Sequence, residues 1–238
     1  MESVYESLTC RAHRLLDKAE DNRRNGSPRW RSIIALAGPP GSGKSTIAAE
    51  VVQRLNARGD DRRAVVVPMD GFHYPRSVLD KFPNAKQAHE RRGAEWTFDA
   101  DGVISLFNDL HQSTARLPSE AQDIYTPSFD HVAKDPVKDD IVIYQSACLV
   151  IIEGNWLLYD QEPWRRIRTL VDEAWFVNVD VEMARNRIAS RHLKSGIEST
   201  WEAALRRADN NDIVNGEEIR KRLVRPDVEV WSVDVKRA

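Results

Sequence analysis

Cysteine is nearly absent. The 238 residues contain two, Cys10 and Cys148, far apart and outside any C-x-x-C pair. That excludes a disulfide framework and a zinc site of the usual spacing; Cys148, opening an apolar run, reads as a small core residue. Long apolar runs are missing too. The longest, Ala147 to Ile152, falls far short of the roughly 20 residues that cross a bilayer, so no membrane partner is expected. Charge of one sign is lacking: 35 Lys plus Arg stand against 37 Asp plus Glu. This removes any overall pull toward nucleic acid and makes an anion site a local matter. Arg11, Arg14, Arg23, Arg24 and Arg29 are interleaved with Glu2, Glu6, Asp17, Glu20 and Asp21, unlike an acid-poor transit peptide. No charged-then-apolar signal is seen either, so a cytoplasmic protein is expected. Of the six histidines only His73 and His131 fall in site-like loops, and neither has a partner at metal-ligand spacing.

What is present is a phosphate-binding pattern. Gly38-Pro39-Pro40-Gly41-Ser42-Gly43-Lys44-Ser45 fits G-x-x-x-x-G-K-[ST], with an apolar run (Ile33 to Ala37) before it and a helix-like segment from Thr46 to Val52 after it. Glycines without Cβ let the backbone turn and aim successive N–H groups at a phosphate. Lys44 adds a cation for the β/γ phosphates, Ser45 a hydroxyl for Mg²⁺, and the following helix N-terminus a partial positive charge.

At roughly 150 residues per domain the length suggests one large domain, taken as residues 30–238 behind an N-terminal amphipathic helix within residues 1–29. That helix carries Val4, Leu8, Ala12, Leu15, Leu16 and Ala19 at helical spacing and ends at Asn25-Gly26-Ser27-Pro28. After a polar break at Asn56 to Asp61, Ala64 to Pro68 reads as a second buried strand. It delivers Asp70 to the strand's C-terminal end, the edge at which open α/β sheets bind ligands. Asp70 is either a turn residue before Gly71 or a carboxylate that positions an acceptor hydroxyl and takes its proton. Ser77 to Phe98 reads as polar loop. Asp99 or Asp101 is placed to cap a helix bearing Val103 to Leu110, and Arg91 and Arg92 are a charged surface or a substrate contact. Aromatic and β-branched residues around Pro127 and Pro136 suggest a small ribbon lobe able to cover an acceptor. Cys148 to Gly154 is the strongest strand signal. It ends in Glu153, where an acid can reach Mg²⁺ at the sheet edge. A further strand, Glu173 to Asp180, precedes a helix from Val181 to Lys194 on which Arg187 and Arg191 lie one turn apart; they are a solvated basic face or a lid neutralising a transferring phosphoryl group. A helix from Trp201 to Asn211 and a last strand at Val228 to Ser232 complete the chain. Strands alternating with helices give an α/β domain.

With these pieces placed, the chain resembles the phosphoribulokinase/uridine kinase family of P-loop kinases, in the branch with pantothenate kinase, fructose-transport-associated kinases and fungal Yfh7-like proteins. The resemblance is carried by Gly38 to Ser45, Met69-Asp70-Gly71-Phe72-His73, Arg91-Arg92-Gly93-Ala94 with Thr97-Phe98-Asp99, Phe129-Asp130, Glu153 to Leu158, Arg187 with Arg191-His192, and Asn211-Asp212 with Asn215. It implies a nucleoside-kinase-like three-layer α/β/α fold on a five-stranded parallel sheet, with a helical lid and a small acceptor-side lobe. It further implies ATP and Mg²⁺ as cosubstrates and phosphorylation of a small alcohol. By position, Asp70 matches the family's base, Glu153 its acid for the metal alongside Ser45, and Arg187 and Arg191 its lid arginines. Asp99 matches a contact to the acceptor hydroxyl, and His73, Arg92, Phe129 and Asp130 line the acceptor side; the nucleotide lies on Gly38 to Thr46. Where uridine kinases carry a Tyr-Asp-Phe run, Ser128-Phe129-Asp130-His131 stands here, so nucleoside, sugar and pantothenate-like alcohols all stay open, as does a monomer or a homodimer. The rival is a P-loop ATPase coupled to a protein or nucleic-acid partner. It is disfavoured by the lack of a basic tract, and a guanine-reading Asn-Lys-x-Asp is absent.

Overall fold

The structure, a computed structural model, describes residues 1–57 and 63–233; most of the expected polar break after Asn56 lies outside these. Five strands form one parallel sheet: β1 (Ser32–Ala37), β2 (Ala64–Pro68), β5 (Leu149–Gly154), β6 (Glu173–Asn178) and β7 (Val228–Trp231), in the order β2-β5-β1-β6-β7. Every residue of β1 and β5 is buried, the consequence of covering both faces of a parallel sheet. Alternation along β1 sorts the side chains into two layers. Ile34 and Leu36 meet Leu8, Leu16 and Ala19 of α1 (Glu2–Arg24) and Ile47, Val51 and Leu55 of α2 (Lys44–Asn56). Ile33 and Ala35 meet Val103, Phe107 and Leu110 of α5 (Ala100–Ser113), with Trp156 and Phe176. The fold is therefore three layers, α/β/α, with a shared core on each side of the sheet.

The expected ribbon is present. Strands β3 (Ile124–Asp130) and β4 (Asp135–Ile143) pair antiparallel, with a register shift between Thr126 and Ser128 that flanks Pro127. The ribbon docks on the turn that carries Asp70, so closely that a Cβ on Gly71 would lie 2.1 Å from the Pro127 carbonyl oxygen. Two expectations need correcting. The stretch Ser77 to Phe98 holds two short helices, α3 (Arg76–Leu79) and α4 (Ala85–Glu90), which bury only Leu79 and Ala88; one buried residue per helix leaves no periodicity to read. The chain after Trp201 also does not leave its helix at Asn211. Helix α7 (Trp201–Arg207) runs through a π-helical turn, Ala208–Ile213, into α8 (Val214–Lys221). Asn-Asn-Asp is poor helix sequence, and tertiary contacts described below hold it. Helix α6 (Val181–Lys194) begins as expected, capped by Asp180, which accepts from the Met183 amide at 2.9 Å.

Candidate functional site

The loop between β1 and α2 turns through two left-handed glycines, Gly41 at φ +77° and Gly43 at φ +81°. At Gly41 any side chain is blocked, because a Cβ would sit 2.9 Å from the Ala184 carbonyl oxygen. Gly43 caps α2 with no side chain at its amides, so the first N–H groups of the helix are free to receive an anion. Pro39 and Pro40 have no N–H and shape the loop rather than donate to a phosphate; Pro39 packs against Gly216 of α8, 3.1 Å from where a Cβ would stand.

Lys44 and Ser45 open α2 directly under the strand ends. Ser45 Oγ donates to Glu153 Oε1 at 2.8 Å, and Glu153 is buried. Burial pushes the Glu153 carboxyl above the usual range, against the pull of Lys44 and the Ser45 hydroxyl. Burial likewise draws the Lys44 ammonium below the usual lysine range, against the attraction of Glu153 and Asp70. The opposed shifts describe charges gathered in a cleft short of water. Two oxygen donors in contact suit a hard cation that takes its remaining ligands from water and phosphate. Among the described residues no cluster of three or more His, Cys, Asp or Glu is able to cage a metal without such help.

Asp70 follows β2 in a 3₁₀ turn, Met69–Phe72. Because β2 and β5 are neighbours with Pro68 opposite Glu153, the two carboxylates stand at adjacent strand ends. His73 Nδ1 lies 2.9 Å from the Asp70 carbonyl oxygen, which only accepts, so Nδ1 carries the proton and Nε2 is an acceptor. The ring packs on Phe98 at 4.0 Å and Phe129 at 5.0 Å, and burial lowers its pKa despite the nearby Asp70.

Three residues matched to the acceptor side have structural work in the fold. The Arg92 guanidinium donates to the carbonyl of Tyr74 and to Asp135 Oδ1, both at 2.9 Å, and to the Lys134 carbonyl; it clamps the ribbon to the loop. Asp130 accepts from the amides of Val132 and Ala133 in the exposed ribbon turn, which lowers its pKa. Asp99 caps α5 through the Gly102 amide at 2.9 Å, the simpler of its two expected roles.

The two arginines of α6 divide. Arg187 donates to the Gly41 carbonyl at 3.1 Å and to Ser232 Oγ at 2.9 Å, joining α6 to the phosphate loop and the end of β7. Arg191 is exposed, with Nη2 3.7 Å from Asp212 Oδ1. Both border a groove of about 750 Å³ along α6, lined also by Met183, Asn186 and Lys194.

Sequence reasoning gave no role to the π-turn. Asp212 is largely buried there, beside Arg191 and 3.6 Å from His192 Nε2, and burial raises its pKa while lowering that of His192. Asn211 donates to the Arg92 carbonyl, and Arg91 donates to the Asn210 carbonyl and Asn215 Oδ1. The turn thus bridges α6 and the loop that carries Arg91 and Arg92. The available signal was three poor helix formers, Asn210, Asn211 and Asp212, inside a helical pattern, since π-turns gather at functional sites.

Comparison with known proteins bears on this geometry. Residues 33–202 match the model of the phosphoribulokinase/uridine kinase family. A Schizosaccharomyces pombe protein named as a candidate uridine kinase is 40% identical over 234 residues, 98% of this chain and 93% of the relative. The crystal structure of YFH7 from Saccharomyces cerevisiae, described as a candidate P-loop-containing kinase with a circular permutation, superposes with a TM-score of 0.84 at 26% identity, covering 97% of this chain and 99% of that one. A candidate fructose transport system kinase from Silicibacter gives 0.72 at 29% identity over 91% and 98%.

Proposed function

Since the chain belongs to the phosphoribulokinase/uridine kinase family and is therefore a kinase, we propose that it transfers the γ-phosphoryl group of ATP to a hydroxyl of a small metabolite. The observation that carries this is the meeting of Ser45 and Glu153 at 2.8 Å beside Lys44, with Asp70 at the end of the neighbouring strand. A donor half and an acceptor half then share one sheet edge.

In this proposal the amides of Gly41 to Thr46 and the Lys44 ammonium hold the triphosphate. Ser45 and Glu153 would hold Mg²⁺, which supplies charge neutralisation to the phosphates when bound. Asp70 orients the acceptor hydroxyl in line and receives its proton. The proton leaves largely after a loose transition state, so Asp70 contributes mostly position, while the lid arginines and Lys44 meet the charge spread over the equatorial oxygens. His73, its pKa lowered by burial and its ring in tilted contact with Phe98 and Phe129, walls the acceptor side. The test is Asp70→Asn, of nearly equal volume. The expected result is a kcat lower by at least about 10²-fold with ATP affinity within a few-fold; near-full turnover in the variant contradicts the assignment.

A further inference from the structure

Ser232 follows β7, the edge strand of the sheet, yet its side chain reaches the phosphate loop. Its amide donates to the Asn178 carbonyl at 2.8 Å, just beyond the paired residues Asn178 and Trp231, so its backbone is tied to the end of β6. The residue is 5% exposed, and its hydroxyl oxygen lies 3.7 Å from where a Cβ on Gly43 would stand. That oxygen accepts from Arg187 Nη1 at 2.9 Å, and the same nitrogen donates to the Gly41 carbonyl at 3.1 Å. A terminal guanidinium nitrogen carries two hydrogens in a fixed plane. Both are engaged here, and their acceptors come from two separate segments, the phosphate loop and the end of β7. The plane of the guanidinium is therefore set relative to the loop. Helix α6 adds a further constraint: the Ala184 carbonyl oxygen would stand 2.9 Å from a Cβ on Gly41, which places the helix that bears Arg187 against the same turn.

A cation at the end of a long side chain lowers a barrier best when its place is fixed beforehand, because a preorganised charge needs no rearrangement at the moment of reaction. One bond from Nη1 to the Gly41 carbonyl permits rotation about its own axis; the second, to Ser232, opposes it. We propose that Ser232 is a positioning residue for Arg187: its hydroxyl oxygen fixes the guanidinium beside the phosphate loop, where the charge of the γ-phosphoryl group in transfer has to be met. The assignment rests on the kinase function proposed above. It deepens that function by adding a residue that acts through Arg187 rather than on the reacting atoms.

The experiment measures ATP-dependent phosphorylation of an alcohol panel, uridine, ribose, glycerol and pantothenate, and compares variants on the alcohol with the highest turnover. Ser232→Ala keeps the backbone bond to Asn178 and removes the acceptor oxygen. It should lower kcat by about tenfold, as expected for one hydrogen bond to a charged group that counts mainly in the transition state, with KM for ATP within about twofold. Its melting temperature should stay within about 2 °C of wild type. Ser232→Thr, which retains a hydroxyl oxygen, should recover most of kcat. In an Arg187→Ala background, Ser232→Ala should lower kcat no further, because residues that act as a unit are not additive. A serine with a merely structural role would give the full loss again in the Arg187→Ala background, or a lower melting temperature with kcat unchanged, and either result overturns the proposal. So does an unchanged kcat in Ser232→Ala, or a Ser232→Thr variant as slow as Ser232→Ala. These failures leave the kinase function standing. If no alcohol of the panel takes up phosphate, the kinase reading itself is contradicted and this assignment goes with it.

Discussion

Gly71→Ala should separate the acceptor half of the site from the nucleotide half. A Cβ at this position would stand 2.1 Å from the Pro127 oxygen and 2.6 Å from its carbonyl carbon. Both are backbone atoms, so no rotamer relieves the contact. Ordinary contact starts at 3.4 Å, which requires the ribbon and the Asp70 turn to part by about 1.3 Å. Overpacking of this kind costs about 1–3 kcal/mol, or a melting temperature lower by about 2–12 °C in a domain of this size. A displacement near 1 Å in a positioning group lowers turnover by about 10²-fold. The phosphate loop, two strands away beyond β5, is untouched. Calorimetric titration with an ATP analogue should give affinity within about threefold of wild type, while kcat/KM for the acceptor falls about 10²-fold. If acceptor kinetics and melting temperature are both unchanged, the ribbon does not press on the Asp70 turn and the packing argument is wrong. If ATP affinity falls in parallel, the two halves are not separable.

Glu153→Gln should weaken the Mg²⁺ dependence of ATP binding and lower kcat by at least about 10²-fold without loss of stability, because burial disfavours the charged carboxylate that it replaces and raises its pKa; titrating Mg²⁺ with each protein checks this. Arg31 is 2% exposed and donates to the carbonyls of Ala147 and Tyr144 and to Ser113 Oγ, with burial pulling its pKa down to about 10. Arg31→Ala should cost about 2–4 kcal/mol in urea unfolding through orphaned acceptors and lost packing, with ATP affinity retained. His73 supplies a pH prediction. Burial lowers its folded pKa below the usual 6.5, so the unfolded chain binds a proton that the native state refuses. Stability contributed by the neutral ring is full above pH 6.5 and is lost as pH falls below it. His73→Gln should flatten that part of the stability curve, and an identical slope in the variant contradicts the assignment.

Most of the scaffold was legible because parallel strands buried on both faces write long apolar runs: Ile33 to Ala37 and Leu149 to Ile152 could hardly be anything else. The acids were legible because each sits where such a run stops. What the sequence hid was tertiary. Arg92 and Asp130 read as acceptor-side residues in one dimension, and only the fold shows that a ribbon clamp and a turn also engage them; the capping role of Asp99 was legible from the helix that follows it. Helices α3 and α4 bury too little to leave a period. The π-turn at Ala208–Ile213 violates local propensity and is held by Arg91 and Asn211, whose partners lie more than a hundred residues away.

The central claim, that one sheet edge brings a nucleotide-holding half and a hydroxyl-holding half together, is tested most directly by phosphorus NMR of the purified protein with ATP, Mg²⁺ and the alcohol panel. The account predicts a new phosphomonoester resonance that grows in step with ADP, appears only when an acceptor is present, and is lost in Asp70→Asn. Inorganic phosphate as the sole product, released at the same rate with or without any alcohol, would contradict it.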